Sequence, residues 1–95
     1  MKRDLDLIKE ILLEIEKKDD TSPIMNLSIK GYDQVLVDYH IHLLDQAGLI
    51  DAEIARVGAN EIYDPIILEI TWNGHEFLDA ARNETVWRKG KELIK

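Results

Sequence analysis

The chain has no cysteine. That excludes disulfides, thiolate metal sites and cysteine nucleophiles. It also has no apolar run near the ~20 residues that a membrane-spanning helix needs. The opening Met-Lys-Arg-Asp-Leu-Asp puts acids where a signal peptide would be apolar. The expectation is therefore a cytoplasmic protein without an export signal. Serine is scarce: only Ser22 and Ser28 are present, and neither stands in a Gly-x-Ser-x-Gly nucleophile turn. None of the five glycines belongs to a phosphate-cradling loop. The expectation is a protein that is not an enzyme and takes no cofactor.

The most telling absence is positional. From Gly31 to Ala55 there is no Lys or Arg, while Asp33, Asp38, Asp45, Asp51 and Glu53 fall in the same stretch. The net charge of −7 is unevenly spread. Residues 1–30 carry −1, residues 31–81 carry −9 with Arg56 as their one base, and residues 82–95 carry +3. Nucleic-acid affinity draws mainly on Lys and Arg neutralising phosphates. An acidic middle repels DNA and favours a basic protein partner, or simply keeps the domain soluble.

The 95 residues make one domain, and 45% hydrophobic content allows one core. A chain this short buries only roughly 60–65% of its unfolded surface, so its stability is modest. Leu5, Ile8, Leu12 and Ile15, widened by Ile11, predict a helix over 4–18. Asp19 to Pro23 ends it. The alternation in Met25-Asn-Leu-Ser-Ile29 predicts a short half-buried strand. Val37, Ile41, Leu44 and Ala47 predict a second helix over 34–47, closed by Gly48. Residues 49–57 and 66–70 predict a hairpin with a loop of about eight residues at 58–65. Thr71 or Asn73 caps a third helix, which Asn83 interrupts, and 84–95 is a candidate separate C-terminal helix. The order defines an α+β, winged-helix-like single domain over 1–95, with the hairpin as wing. Its expected core is Leu5, Ile8, Ile11, Leu12, Ile15, Val37, Ile41, Leu44, Leu49, Ile70, Phe77 and Leu78.

Two motifs carry a family resemblance. Val-Asp-Tyr-His-Ile-His-Leu-Leu-Asp-Gln-Ala-Gly-Leu-Ile (37–50) resembles the recognition helix and following strand of small bacterial winged-helix repressors, such as the arsenical-resistance repressors. Ile-Thr-Trp-Asn-Gly-His-Glu-Phe-Leu (70–78), with the opening Met-Lys-Arg-Asp-Leu-Asp-Leu-Ile and Thr-Val-Trp at 85–87, is more specific. Over nearly the whole chain these resemble the bacterial and phage-associated family known as domain of unknown function 2513. The resemblance implies a small winged-helix-like protein of prophages or mobile elements, and no catalytic residue is carried over.

The surface expected to meet a protein partner, or DNA in the alternative, is Gln34, Asp38, Tyr39, His42 and Asp45 on the second helix, with Asn60 and Tyr63 on the wing. Gln34, His42 and Asn60 can hydrogen-bond to bases, but nothing near them would hold phosphates. Trp87, Arg88 and Lys91 mark a helix that either docks on the domain or meets a partner, including a second copy. His40 and His42 point about 200° apart on a helix and cannot chelate together; His40 is expected to be a hydrogen-bonded structural residue. His75 and Asp79 share a helix face, which leaves a weak metal site as an alternative to a solvent-facing pair. Trp72 is expected in the core. Tyr32, Tyr39 and Tyr63 are expected at core edges with their hydroxyls in water.

Overall fold

The computed structural model describes residues 2–56, 62–83 and 87–88, with only the backbone of 55, 56 and 62–64. Among these residues, three helices and a two-stranded antiparallel hairpin make an α+β domain: α1 (Leu5–Glu16), α2 (Gln34–Gln46), β1 (Ile50–Arg56), β2 (Ile62–Ile70) and α3 (Trp72–Arg82).

Helix α1 starts where Asp4 accepts hydrogen bonds from the amides of Asp6 (3.0 Å) and Leu7 (3.1 Å), satisfying donors that a helix end leaves bare. Leu7, Ile8, Ile11, Leu12 and Ile15 bury one broad side of it. Beyond its C-terminal end, Lys18 joins Asp20 and Ser22 in a polar turn. Hydrogen bonds from Lys18, then from Ser22, hold the Asp20 carboxyl below the ordinary carboxylate range.

The short strand expected at 25–29 is not formed. A single antiparallel bridge one residue earlier replaces it, with Ile24 and Ile67 exchanging both backbone bonds at 2.9 Å. Asn26 is the reason: its φ of +55 turns the chain out of the extended path immediately after the bridge. Ile29 still reaches the core, whereas Met25 is 65% exposed.

Helix α2 buries Val37, His40, Ile41 and Leu44. It ends as expected at Gly48, whose φ is +75. The Gly48 amide bonds the Asp45 carbonyl and the Leu49 amide bonds the Leu44 carbonyl, which is a Schellman closure. The chain leaves directly into β1.

The hairpin pairs Ile50 with Ile70, Asp51 with Glu69, Ala52 with Ile67 and Glu53 with Ile66. Ile50 and Ile67 are buried on the inner face; Asp51, Glu53 and Glu69 are exposed on the outer one. Strand β2 begins at Ile62, so the connection is shorter than the expected eight residues. Pro65 is accommodated inside β2 because the register shifts between Glu53 and Ala55, where a missing N–H costs no ladder bond. The tip, 57–61, with Asn60, lies outside the described residues.

Helix α2 packs on both strands and on α1, while α1 also meets α3 and β2. Eight of the twelve expected core residues are buried; Leu5, Leu49, Ile70 and Phe77 lie at its margin. Leu7, Ile29, Ile50, Ile67 and Ala81 complete it.

His40 is fully buried at the centre of this packing. Its Nε2 accepts a hydrogen bond from the Asp4 amide (2.8 Å), and its Nδ1 lies 2.9 Å from the Leu36 carbonyl. An amide can only donate, so Nε2 is the bare nitrogen and Nδ1 carries the proton that Leu36 accepts. The structural role expected of His40 is the one it has.

Candidate functional site

Helix α2 presents Gln34, Val35, Asp38, Tyr39 and His42 toward its outer side. Val35 is 66% exposed, and Asp38, Tyr39 and His42 are half-buried. The Gln34 amide is already committed: its Nε2 donates to the Leu27 carbonyl and to Asp38, both at 2.8 Å. It braces the segment before α2 against the helix. Asp45 is turned to structure as well. Its carboxylate accepts the Ala52 amide at 3.1 Å, tying the end of α2 to β1, so it belongs to the hinge of the hairpin and not to a free surface. The Tyr39 ring sits edge-on to His40, centroids 5.7 Å apart.

Trp72, expected in the core, is instead 78% exposed. The reason lies in the junction that precedes it. Thr71 caps α3 by accepting the Gly74 amide at 3.0 Å, while its hydroxyl donates to the Gly48 carbonyl at 2.6 Å. Its amide bonds the Leu49 carbonyl at 3.0 Å. These bonds press the α3 backbone onto the α2–β1 turn at Gly74, and the first helical residue, Trp72, is left facing outward. The Thr-x-x-Gly spacing thus has a physical content: Thr supplies cap and clamp, and Gly supplies the close approach.

The end of the hairpin next to Trp72 is acidic. Asp51 and Glu69 are direct cross-strand partners, both exposed, and no described cation pairs with them. Behind Glu69 lies a cleft of about 200 Å³ between the end of α1, the 20–24 turn, β2 and α3. Ile24, Leu68 and Ile70 give it apolar walls; Glu16, the paired Lys18 and Asp20, Glu69 and His75 give it its polar side.

His75 and Asp79 are both exposed, and Asp79 faces Arg82 at 3.4 Å. Arg82 also pairs with Glu16, linking α3 to α1. Among the described residues no group of three or more His, Asp or Glu side chains is placed to hold a metal ion.

The Trp87 ring lies edge-on to Phe77, centroids 6.0 Å apart, with Lys9 Nζ 5.5 Å from its centre. It is half-buried on its own domain, while Arg88 is exposed. Lys91 and the side chain of Tyr63 lie outside the described residues. Trp72, Val35 and the Asp51–Glu69 pair were not singled out as surface features by sequence. Alternation after a strand gives Trp72 no facing, and the pairing of Asp51 with Glu69 requires the register.

Fold and surface define a small α+β domain in which helices hold a hairpin with an acidic outer face. The chain belongs to the family described as "Hypothetical protein (DUF2513)", whose model matches residues 2–95. It is 43% identical over 96 residues to a protein of Haemophilus influenzae described as "Uncharacterized protein", covering all of this chain and 80% of that relative. No solved structure matches the chain. No helix among the described residues is long and apolar enough to cross a membrane.

Proposed function

We propose that this chain is a non-catalytic winged-helix-type module that binds another protein. The winged-helix reading is supported by the order helix, bridging segment, helix, hairpin, helix, in which the segment 20–33 stands in place of the usual short middle helix and α2 is the counterpart of a recognition helix. The observation that carries the choice of protein over DNA is the outer side of α2: Gln34, Val35, Asp38, Tyr39 and His42, without one Lys or Arg. A DNA-reading helix needs phosphate contacts beside it to set register and supply affinity. Here the neighbouring strand adds Asp51 and Glu53 instead.

The DNA-binding reading has the element order in its favour, by analogy of fold. Titration against mixed-sequence duplex DNA at roughly 50 mM salt separates the two, because phosphate contacts are strongest there. The proposal expects no binding. Clear binding that weakens steeply with added salt would overturn it. The prophage or mobile-element setting belongs to the same proposal, and genomic neighbourhood tests it.

A further inference from the structure

We infer that the partner is a basic protein segment, and that it seats on Trp72 and the adjoining end of the hairpin, not on α2. The inference rests on the protein-binding reading and names the surface and the partner's chemistry.

Three features meet at this end of the molecule, with Glu69 shared by two of them. Trp72 exposes 78% of its surface on the first turn of α3, one turn before His75, which lines the cleft. An exposed Trp is the side chain that most often anchors an interface, and its ring face attracts Lys and Arg. Next, the cleft is amphipathic: Ile24, Leu68 and Ile70 are apolar, Lys18 in its lining is paired with Asp20 and Glu16 with Arg82, and Glu69 is the lining carboxylate that no described cation pairs. That profile fits a side chain with an aliphatic stem and a cationic head, which is the form of Lys and Arg. Finally, Asp51 and Glu69 stand directly opposite one another on the outer face. Like charges in that position destabilise a hairpin, and an incoming cation relieves them. Charge complementarity thus selects a basic occupant: residues 31–81 carry −9.

A binding role and a purely structural role of the Asp51–Glu69 pair separate in a test. Asp51→Asn and Glu69→Gln each remove half of a repulsive pair, so each raises the urea midpoint of the free domain slightly while weakening the complex. A purely structural role would not move the two in opposite directions.

The probe is a dye-labelled peptide of alternating Lys, Arg and Ala, followed by fluorescence anisotropy at an ionic strength on the order of 0.05 M. A Glu/Ala peptide of equal length is the control. Saturable binding of the basic peptide alone is expected, weakened about tenfold by Trp72→Ala and severalfold by Glu69→Gln. Gln34→Ala and Asp38→Asn on α2 leave it unchanged. All four side chains are exposed or half-exposed, and circular dichroism checks that each variant folds. Failure of the basic peptide to bind, or equal losses from the α2 variants, overturns the inference. A dimer in sedimentation that Trp72→Ala dissolves assigns the surface to a second copy and also overturns it. In each of these cases the protein-binding proposal stands unless duplex DNA binds in a salt-dependent manner.

Discussion

Gly74→Ala reverses the ordinary effect of its substitution. In a free helix the change stabilises by about 1 kcal/mol, because glycine is the poorer helix former. Here a Cβ on residue 74 would fall 2.0 Å from the Leu49 carbonyl oxygen and 2.6 Å from Ile70 Cγ1. The carbonyl is backbone, fixed by the Thr71 amide at 3.0 Å, and cannot swing aside. Contacts under 3.0 Å essentially never occur, so α3 has to retreat by about 1 Å. Overpacking of this kind costs about 1–3 kcal/mol. The retreat also stretches the Thr71 bonds to Leu49 and Gly48, at about 1 kcal/mol each. After the propensity gain, the expected net loss is about 2–4 kcal/mol. Urea unfolding followed by circular dichroism reads this as a lower midpoint at unchanged slope. Thermal unfolding reads it as a fall of roughly 10 °C or more. Glu76→Ala, exposed on the same helix, is the control and should stay within about 0.5 kcal/mol of the parent. A Gly74→Ala protein as stable as the parent, or more so, refutes the close approach.

Other substitutions probe the remaining contacts. His40→Leu keeps an apolar volume in the core but strands the Asp4 amide, so it should cost about 1–3 kcal/mol; His40→Ala adds a cavity and should cost about 2–5 kcal/mol in urea unfolding. Thr71→Ala removes the cap and the clamp on Gly48 and should lose about 1–2 kcal/mol, with Thr71→Ser recovering most of it; equal losses for both variants would show that the hydroxyl is not what matters. The Tyr32 hydroxyl is pushed above its ordinary value of 10.0, first by burial and then by Asp4, Asp6 and Glu10. A raised value in the folded state means that this contribution is full below about pH 10 and is lost as pH rises toward the folded-state value. Tyr32→Phe should therefore flatten that part of the alkaline stability loss, and an unchanged alkaline profile would contradict it.

What could be read from the chain depended on how local the cause was. The α1 stripe, the α2 stripe and the Gly48 stop are set by neighbouring residues, and all three form where expected. The strand at 25–29 failed because alternation says nothing about Asn26 entering the left-handed region. Trp72 was misplaced because its facing is dictated by Thr71 clamping a turn 23 residues away in sequence. Asp45 looked like surface for a similar reason: its partner, the Ala52 amide, is brought near only once Gly48 has reversed the chain. Ile50 and not Leu49 enters the core because hairpin register, which the sequence does not display, decides which strand face turns inward. Of the surface, the cation-free α2 was legible and the Asp51–Glu69 pair was not.

The bond from the Asp4 amide to His40 has a kinetic corollary. Helix ends usually open and close on their own, far faster than the whole domain unfolds. Here the first turn of α1 is fastened to a ring rooted in the middle of α2, 36 positions along the chain. It cannot peel away without uncovering a fully buried imidazole. The beginning of the domain therefore opens together with its centre, and the Asp4 amide should exchange its hydrogen as slowly as those of Ile41 and Leu44.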